Sequence, residues 1–196
     1  LVRAARLAAS DDAALEERAA AIPVRLRAGE VLIPAAALAA VPEAVAARAA
    51  RRGLRLLLAP YAGDLGDTAA VLSAAAGDAG RLPMSGGLLA AREGPFVVIH
   101  SARPERVPGE IVLPVPGQAR FGRWRITASE GISPAASSHR VLALAGDAGQ
   151  LKVRASVPGE TIAMEGGSKA VADALREAGV PARRRAAWPV VVAAGR

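Results

Sequence analysis

Cysteine is absent from the 196 residues, which excludes disulfides, thiolate nucleophiles and cysteine-ligated metal sites and fits a cytoplasmic setting. Aromatic residues make up only 3% of the chain. The core must therefore be assembled from Leu, Val and Ala, which bury less area per residue than rings do, and modest stability is expected. Histidine occurs only at His100 and His139. Two isolated imidazoles do not make up a metal-ligand set, and both are read as structural or surface residues. No apolar run approaches the roughly 20 residues a bilayer span requires. Arg3 and Arg6 interrupt any apolar centre that a secretory signal would need between Leu1 and Ser10. A soluble protein without a membrane partner is expected.

What is present is a chain that is 52% hydrophobic, much of it alanine, and long enough for one substantial core or two small ones. Lys plus Arg number 25 against 18 Asp plus Glu, a net charge of +7. That excess favours an anionic partner such as nucleic acid. Arginine also accumulates under GC-rich coding, so the placement of the charges matters more than their sum.

From Leu1 to about Ala76 the texture is helical, broken at Ile22-Pro23, Pro34 and Pro42, with tight loops over Gly63 to Asp67. Beyond Gly77, glycine and proline recur between short apolar runs: Leu88 to Ala91, Phe96 to Ile99, Ile111 to Val115, Trp124 to Thr127 and Val141 to Ala145. Ser129 to Ser138 and Gly146 to Gln150 read as loops. Leu151 to Val157 alternates apolar and polar residues before a Pro158-Gly159 turn, and Trp188 to Ala193 reads as a buried strand. The expected fold class is α+β, with a helical subdomain over 1–78 and a strand-rich subdomain over 79–196 that contains one short helix.

Two constellations could carry chemistry. In the helix expected from Pro42 to Leu58, Arg48, Arg51, Arg52 and Arg55 line one side, while Ala47, Ala50, Leu54, Leu57 and Leu58 fall on the other. Four guanidinium groups on one stripe repel each other unless anions lie near, and phosphates suit the planar arginine fork. The plain alternative is a solvated amphipathic face, or one paired with acidic residues of another domain. The second constellation is Gly166-Gly167-Ser168-Lys169. With Ser168 as cap of a helix running to about Ala178, free N–H groups and Lys169 would favour a phosphate. The plain reading is a capped strand-to-helix turn. The order Gly-x-x-x-x-Gly-Lys-Ser/Thr is missing, so the segment is not a nucleotide-binding P-loop. No nucleophile and base are assigned: Ser137-Ser138-His139 lacks an acidic orienter, and neighbouring strand residues point to opposite faces. Trp124 and Trp188 lie in apolar strand patterns and are read as core rather than base-stacking residues.

The order Pro158-Gly159-Glu160, Gly167 with Lys169, Pro181, Arg185 and Pro189-Val190-Val191 resembles the C-terminal domain of bacterial tRNA(Ile)-lysidine synthetase. Upstream, Leu38 to Leu58 is similar to the family's Leu-x-x-Leu-Pro-x-x-x-x-x-Arg segment, and Leu82-Pro83 with Gly86-Gly87 to its Leu-Pro-Gly-Gly strand start. The departures are Glu160 for the usual Asp, and Ala170 and Ala187 where a second Lys and a second Arg are common. The family's Ser-Gly-Gly-x-Asp-Ser loop, which binds ATP, has no counterpart, since Ser85-Gly86-Gly87 continues as Leu88-Leu89. The chain is accordingly expected to be a C-terminal piece, already helical at Leu1.

The resemblance implies a piece that grips tRNA(Ile) with a CAU anticodon. An N-terminal PP-loop domain, not in this chain, would use ATP with magnesium to attach lysine to the wobble cytidine. It implies Lys169 and Arg185 as backbone contacts, extended by Arg183 and Arg184, alongside the stripe Arg48, Arg51, Arg52 and Arg55. A homodimer is compatible with it. The competing expectation is a structural module that docks on a catalytic domain or partner subunit without recognising RNA.

Overall fold

The computed structural model describes residues 2–77, 80–131, 150–164 and 167–193. The fold is α+β, and the chain divides into two compact units, Leu1–Arg103 and Pro104–Arg196.

In the first unit a long helix, α1 (Val2–Ala20), is followed by a hairpin of β1 (Arg25–Arg27) and β2 (Glu30–Pro34). Ala28 and Gly29 both have positive φ, 52° and 76°, as a tight two-residue hairpin turn that follows the strand twist requires. This hairpin corrects the reading of 1–76 as wholly helical. Val31, Leu32 and Ile33 are stiff or bulky apolar residues that fit a pleated surface, and β2 becomes an interior strand. The helices α2 (Ala35–Ala39), α3 (Glu43–Leu58) and α4 (Leu65–Ala76) follow, then β3 (Arg81–Met84), a single 3-10 turn over Ser85–Gly87, β4 (Leu88–Glu93) and β5 (Phe96–Ser101). The antiparallel sheet has the order β1-β2-β5-β4-β3.

The expected strands at Leu88 to Ala91 and Phe96 to Ile99 are thus present. β5 pairs with β2, β4 pairs with β5, and both pack on the helices, so the units divide between Arg103 and Pro104 rather than at the change of texture near residue 78. The core joins Val31, Ile33, Val97 and Ile99 of the sheet to Val45, Ala49, Ala50 and Leu54 of α3 and Val71 and Ala74 of α4. Gly53 lets α3 lie close to the sheet: a Cβ there would stand 2.9 Å from Val31 Cγ1. That contact makes up for a glycine that a helix interior otherwise tolerates at a loss of about 1 kcal/mol relative to alanine.

Asp67 ties three segments of this unit together. It is 3% exposed, caps α4 reciprocally with Asp64, accepts from the Tyr61 hydroxyl at 3.0 Å and from the Ser85 N–H at 2.7 Å. Burial pushes its carboxyl up, but the donors from Ser85, Asp64 and Tyr61 outweigh burial and hold it below the ordinary value.

The second unit contains β6 (Ile111–Leu113), the hairpin β7 (Gly117–Phe121) and β8 (Trp124–Ala128), then β9 (Leu151–Ala155), β10 (Thr161–Met164), β11 (Gly167–Ala170), α5 (Val171–Glu177), α6 (Ala182–Arg185) and β12 (Pro189–Ala193). A three-stranded antiparallel sheet has the order β12-β9-β6, and β10 pairs with β11. Phe121, Leu113, Leu151 and Val153 form its small core. Trp124 and Trp188 meet edge to face with centroids 4.5 Å apart, so both rings serve packing, as the alternation suggested. The strand expected at Val141 to Ala145, most of the two expected loops, and Ser137-Ser138-His139 lie outside the described residues.

Candidate nucleic-acid interface

The arginine stripe of α3 is formed as a helix of this phase predicts, but α1 lies along part of it. Arg48 forms an ion pair with Asp12 and lies 3.6 Å from Glu16, both on α1. Arg52 donates through Nη1 to the carbonyl of Ala19 at 3.0 Å, and through Nη2 to that of Ile22. These carbonyls are at and just past the end of α1, where backbone acceptors lack helical partners and a cation is favourable. Arg48 and Arg52 are one helical row, i and i+4, and that row holds α1 in place. The other row, Arg51 and Arg55, has no ion pair among the described residues. Arg51 is half-buried, with its Nε enclosed and unpartnered, and Arg55 is exposed. One row of the stripe is therefore engaged within the chain, Arg48 by acidic residues of α1 and Arg52 by backbone carbonyls at its end.

The loop expected at Gly167 is also redrawn. Gly167–Ala170 pairs with Thr161–Met164 as β11, setting Ser168 opposite Ala163 and Lys169 opposite Ile162. Helix α5 starts only at Val171, with Ala170 before it and no side-chain cap. Ser168 thus caps nothing, because Thr161 and Ile162 offer the chain a strand partner before a helix can start. Lys169 pairs with Glu177 of α5, and that contact, ahead of a small opposing burial, holds the Glu177 carboxyl below its ordinary value.

In the last module Arg185 donates from Nε to the carbonyl of Val180 at 2.8 Å, and Arg183 and Arg184 are half-buried and engaged by neighbours. α6 is only 4 residues long. The fold brings Arg183, Arg184 and Arg185 together on one short turn after Pro181, but Lys169 is committed to α5. Glu160 clasps the turn. Arg154 Nη1 donates to it at 3.0 Å, and the Val157 N–H does so at 3.0 Å. The Arg154 hydrogen bond, working against burial, holds the Glu160 carboxyl low and raises the guanidinium in turn. Gly159, at φ 79°, makes the bend that lets them meet.

No family model matches the chain, and no curated protein matches it either.

His100 is buried, with Nδ1 2.8 Å from the carbonyl of Ser101, a structural position. Among the described residues no three His, Cys, Asp or Glu side chains gather as a metal site would require, and no helix is long and apolar enough to cross a membrane. Sequence reasoning passed over one cationic group that the fold leaves exposed, Arg120 and Arg125 on β7 and β8. The signal was available: Gln118 and Arg120 before Gly122, and Arg125 and Thr127 after it, alternate with apolar residues on both sides of a glycine turn.

Proposed function

We propose that this chain is the tRNA-gripping C-terminal part of a tRNA(Ile)-lysidine synthetase and acts in the cytoplasm. It positions tRNA(Ile) with a CAU anticodon for ATP-dependent lysine attachment to the wobble cytidine by a PP-loop catalytic domain outside this chain. The observation that carries the reading is the ordered run from Pro158-Gly159-Glu160 through Lys169, Pro181 and Arg185 to Pro189-Val190-Val191, all within one unit. The net charge of +7 supports it, as do Arg51 and Arg55, which form no ion pair among the described residues. The mechanism is electrostatic: arginines neutralise phosphates and set the register of the RNA, and the chemistry takes place elsewhere.

One observation favours the competing reading of a docking module. Half of the α3 stripe is used inside the chain, while Leu56, Tyr61 and Leu65 at the α3–α4 corner are 45%, 41% and 78% exposed. Salt separates the two readings. Binding of the chain to tRNA(Ile) transcript should weaken with a log-log slope of about one per contacted phosphate, whereas apolar docking hardly responds to salt. Arg51→Ala with Arg55→Ala is the informative variant, because it spares the pairs that hold α1. Absence of RNA binding at low salt by a folded chain would leave the docking module standing.

A further inference from the structure

The β7–β8 hairpin has two chemically opposite faces. Its pairing sets Ala119 against Ile126 and Phe121 against Trp124, and these side chains pack into the apolar cluster of the second unit. The other face carries Gln118 opposite Thr127 and Arg120 opposite Arg125, all four exposed. Gly122, at φ 55°, starts the two-residue turn, and Pro108 Cγ stands 2.9 Å from where a Cβ would be. The turn therefore accepts no larger residue without movement.

Like charges directly opposite each other in an antiparallel pair destabilise it. The hairpin gains nothing internal from this arrangement. Arg120 Nε makes a 3.3 Å hydrogen bond to the carbonyl of Gly122, and neither Arg120 nor Arg125 forms an ion pair among the described residues. The nearby cation Arg123, at the turn, lies 3.9 Å from Glu105, which leaves Arg120 and Arg125 as the uncompensated pair.

We propose that this outer face binds a sugar–phosphate backbone, with Arg120 and Arg125 on phosphates of one RNA strand and Gln118 and Thr127 on neighbouring sugar or phosphate oxygens. Opposed side chains are about 5 Å apart and the two pairs about 7 Å apart along the strands. An anion between the two guanidinium groups converts their repulsion into attraction, and the fork of each presents two parallel donors. Two charged and two neutral hydrogen-bonding side chains suit a backbone that alternates phosphates with 2′-hydroxyls better than they suit a run of carboxylates. The site rests on the RNA-binding reading above and adds residues to it.

The test uses the whole chain and labelled tRNA(Ile) transcript, with anisotropy measured from about 50 to about 200 mM salt. Arg120→Gln with Arg125→Gln should weaken low-salt binding about tenfold and make the log-log salt slope shallower by about 2. Arg125→Glu should also weaken it while leaving the melting temperature equal or higher, since it places a carboxylate opposite Arg120. A merely structural role would not separate those two readouts. If the unaltered chain binds and both variants bind with the same affinity and slope, the hairpin site is wrong and the RNA reading stands on other residues. If the unaltered chain binds no RNA, both fall. Competition by polyglutamate as effective as that by RNA of equal charge would overturn the sugar–phosphate assignment in favour of an acidic protein partner.

Discussion

Arg48 and Arg52 of α3 and Arg120 and Arg125 of the β7–β8 hairpin are the same side chain in opposite surroundings. On α3 the counter-charges and carbonyls come from α1 of the same chain. On the hairpin no described residue supplies a counter-charge, Arg120 Nε bonds the carbonyl of Gly122 in its own turn, and the two arginines face each other. Clustering of arginine in the sequence is thus a poor guide to which arginines are available. The helix stripe, which is the stronger pattern along the chain, holds the less available pair, and the weaker pattern holds the more available one. The difference lies in what packs alongside.

The sharpest way to break this comparison is Arg52→Ala. It removes a cation and two hydrogen bonds from the carbonyls of Ala19 and Ile22, and should destabilise the first unit by about 3 kcal/mol in urea unfolding while RNA affinity of the folded protein changes little. A large affinity loss without destabilisation would place Arg52 with the hairpin arginines instead. Gly122→Ala tests the other side. With φ 55° and Pro108 in the way, it should cost about 2 kcal/mol and lower RNA affinity together with Arg120 and Arg125, because it disturbs the face that carries them.

Acid titration separates the first unit's internal scaffold from its arginines. The Asp67 carboxyl is held below its ordinary value, so the unfolded chain binds the proton first as pH falls and stability increases with pH through that window. Its contribution is complete above the unfolded value and is lost as pH falls through the folded one. Asp67→Asn should cost about 1 to 2 kcal/mol at neutral pH and flatten the acid limb of the stability curve. The smallest effect is expected for Arg48→Ala. Its partners Asp12 and Glu16 are 70% and 50% exposed, so the loss should be between about 0 and 1 kcal/mol and should shrink further in high salt.

The readings that succeeded from sequence were those with a strong local period. Leu88 to Ala91 and Phe96 to Ile99 run apolar between turns and are strands, and the alternation read over Leu151 to Val157 forms a strand over Leu151–Ala155. Pro42 and Glu43 announce α3, and Leu54 falls on its buried face. The β1–β2 hairpin was missed because Arg25-Leu26-Arg27 is short and charged, and its turn is Ala28-Gly29 rather than a common turn dipeptide. The candidate site was legible as a set of residue types and not as an arrangement. Ser168 has the chemistry of a cap, yet pairing with Ala163 overrides it.

By itself the sequence determined the absence of disulfide and thiolate chemistry, the positive balance, the α+β texture and the helical phase that lines up Arg48, Arg51, Arg52 and Arg55. All of these follow from composition or from a period of a few residues. Only the tertiary structure decided that Asp12, Glu16 and the end of α1 meet one row of that stripe, that Glu177 meets Lys169, and that Arg120 faces Arg125. The reason is physical: a charge is neutralised by whatever lies within a few ångströms of it, and those neighbours come from distant positions along the chain.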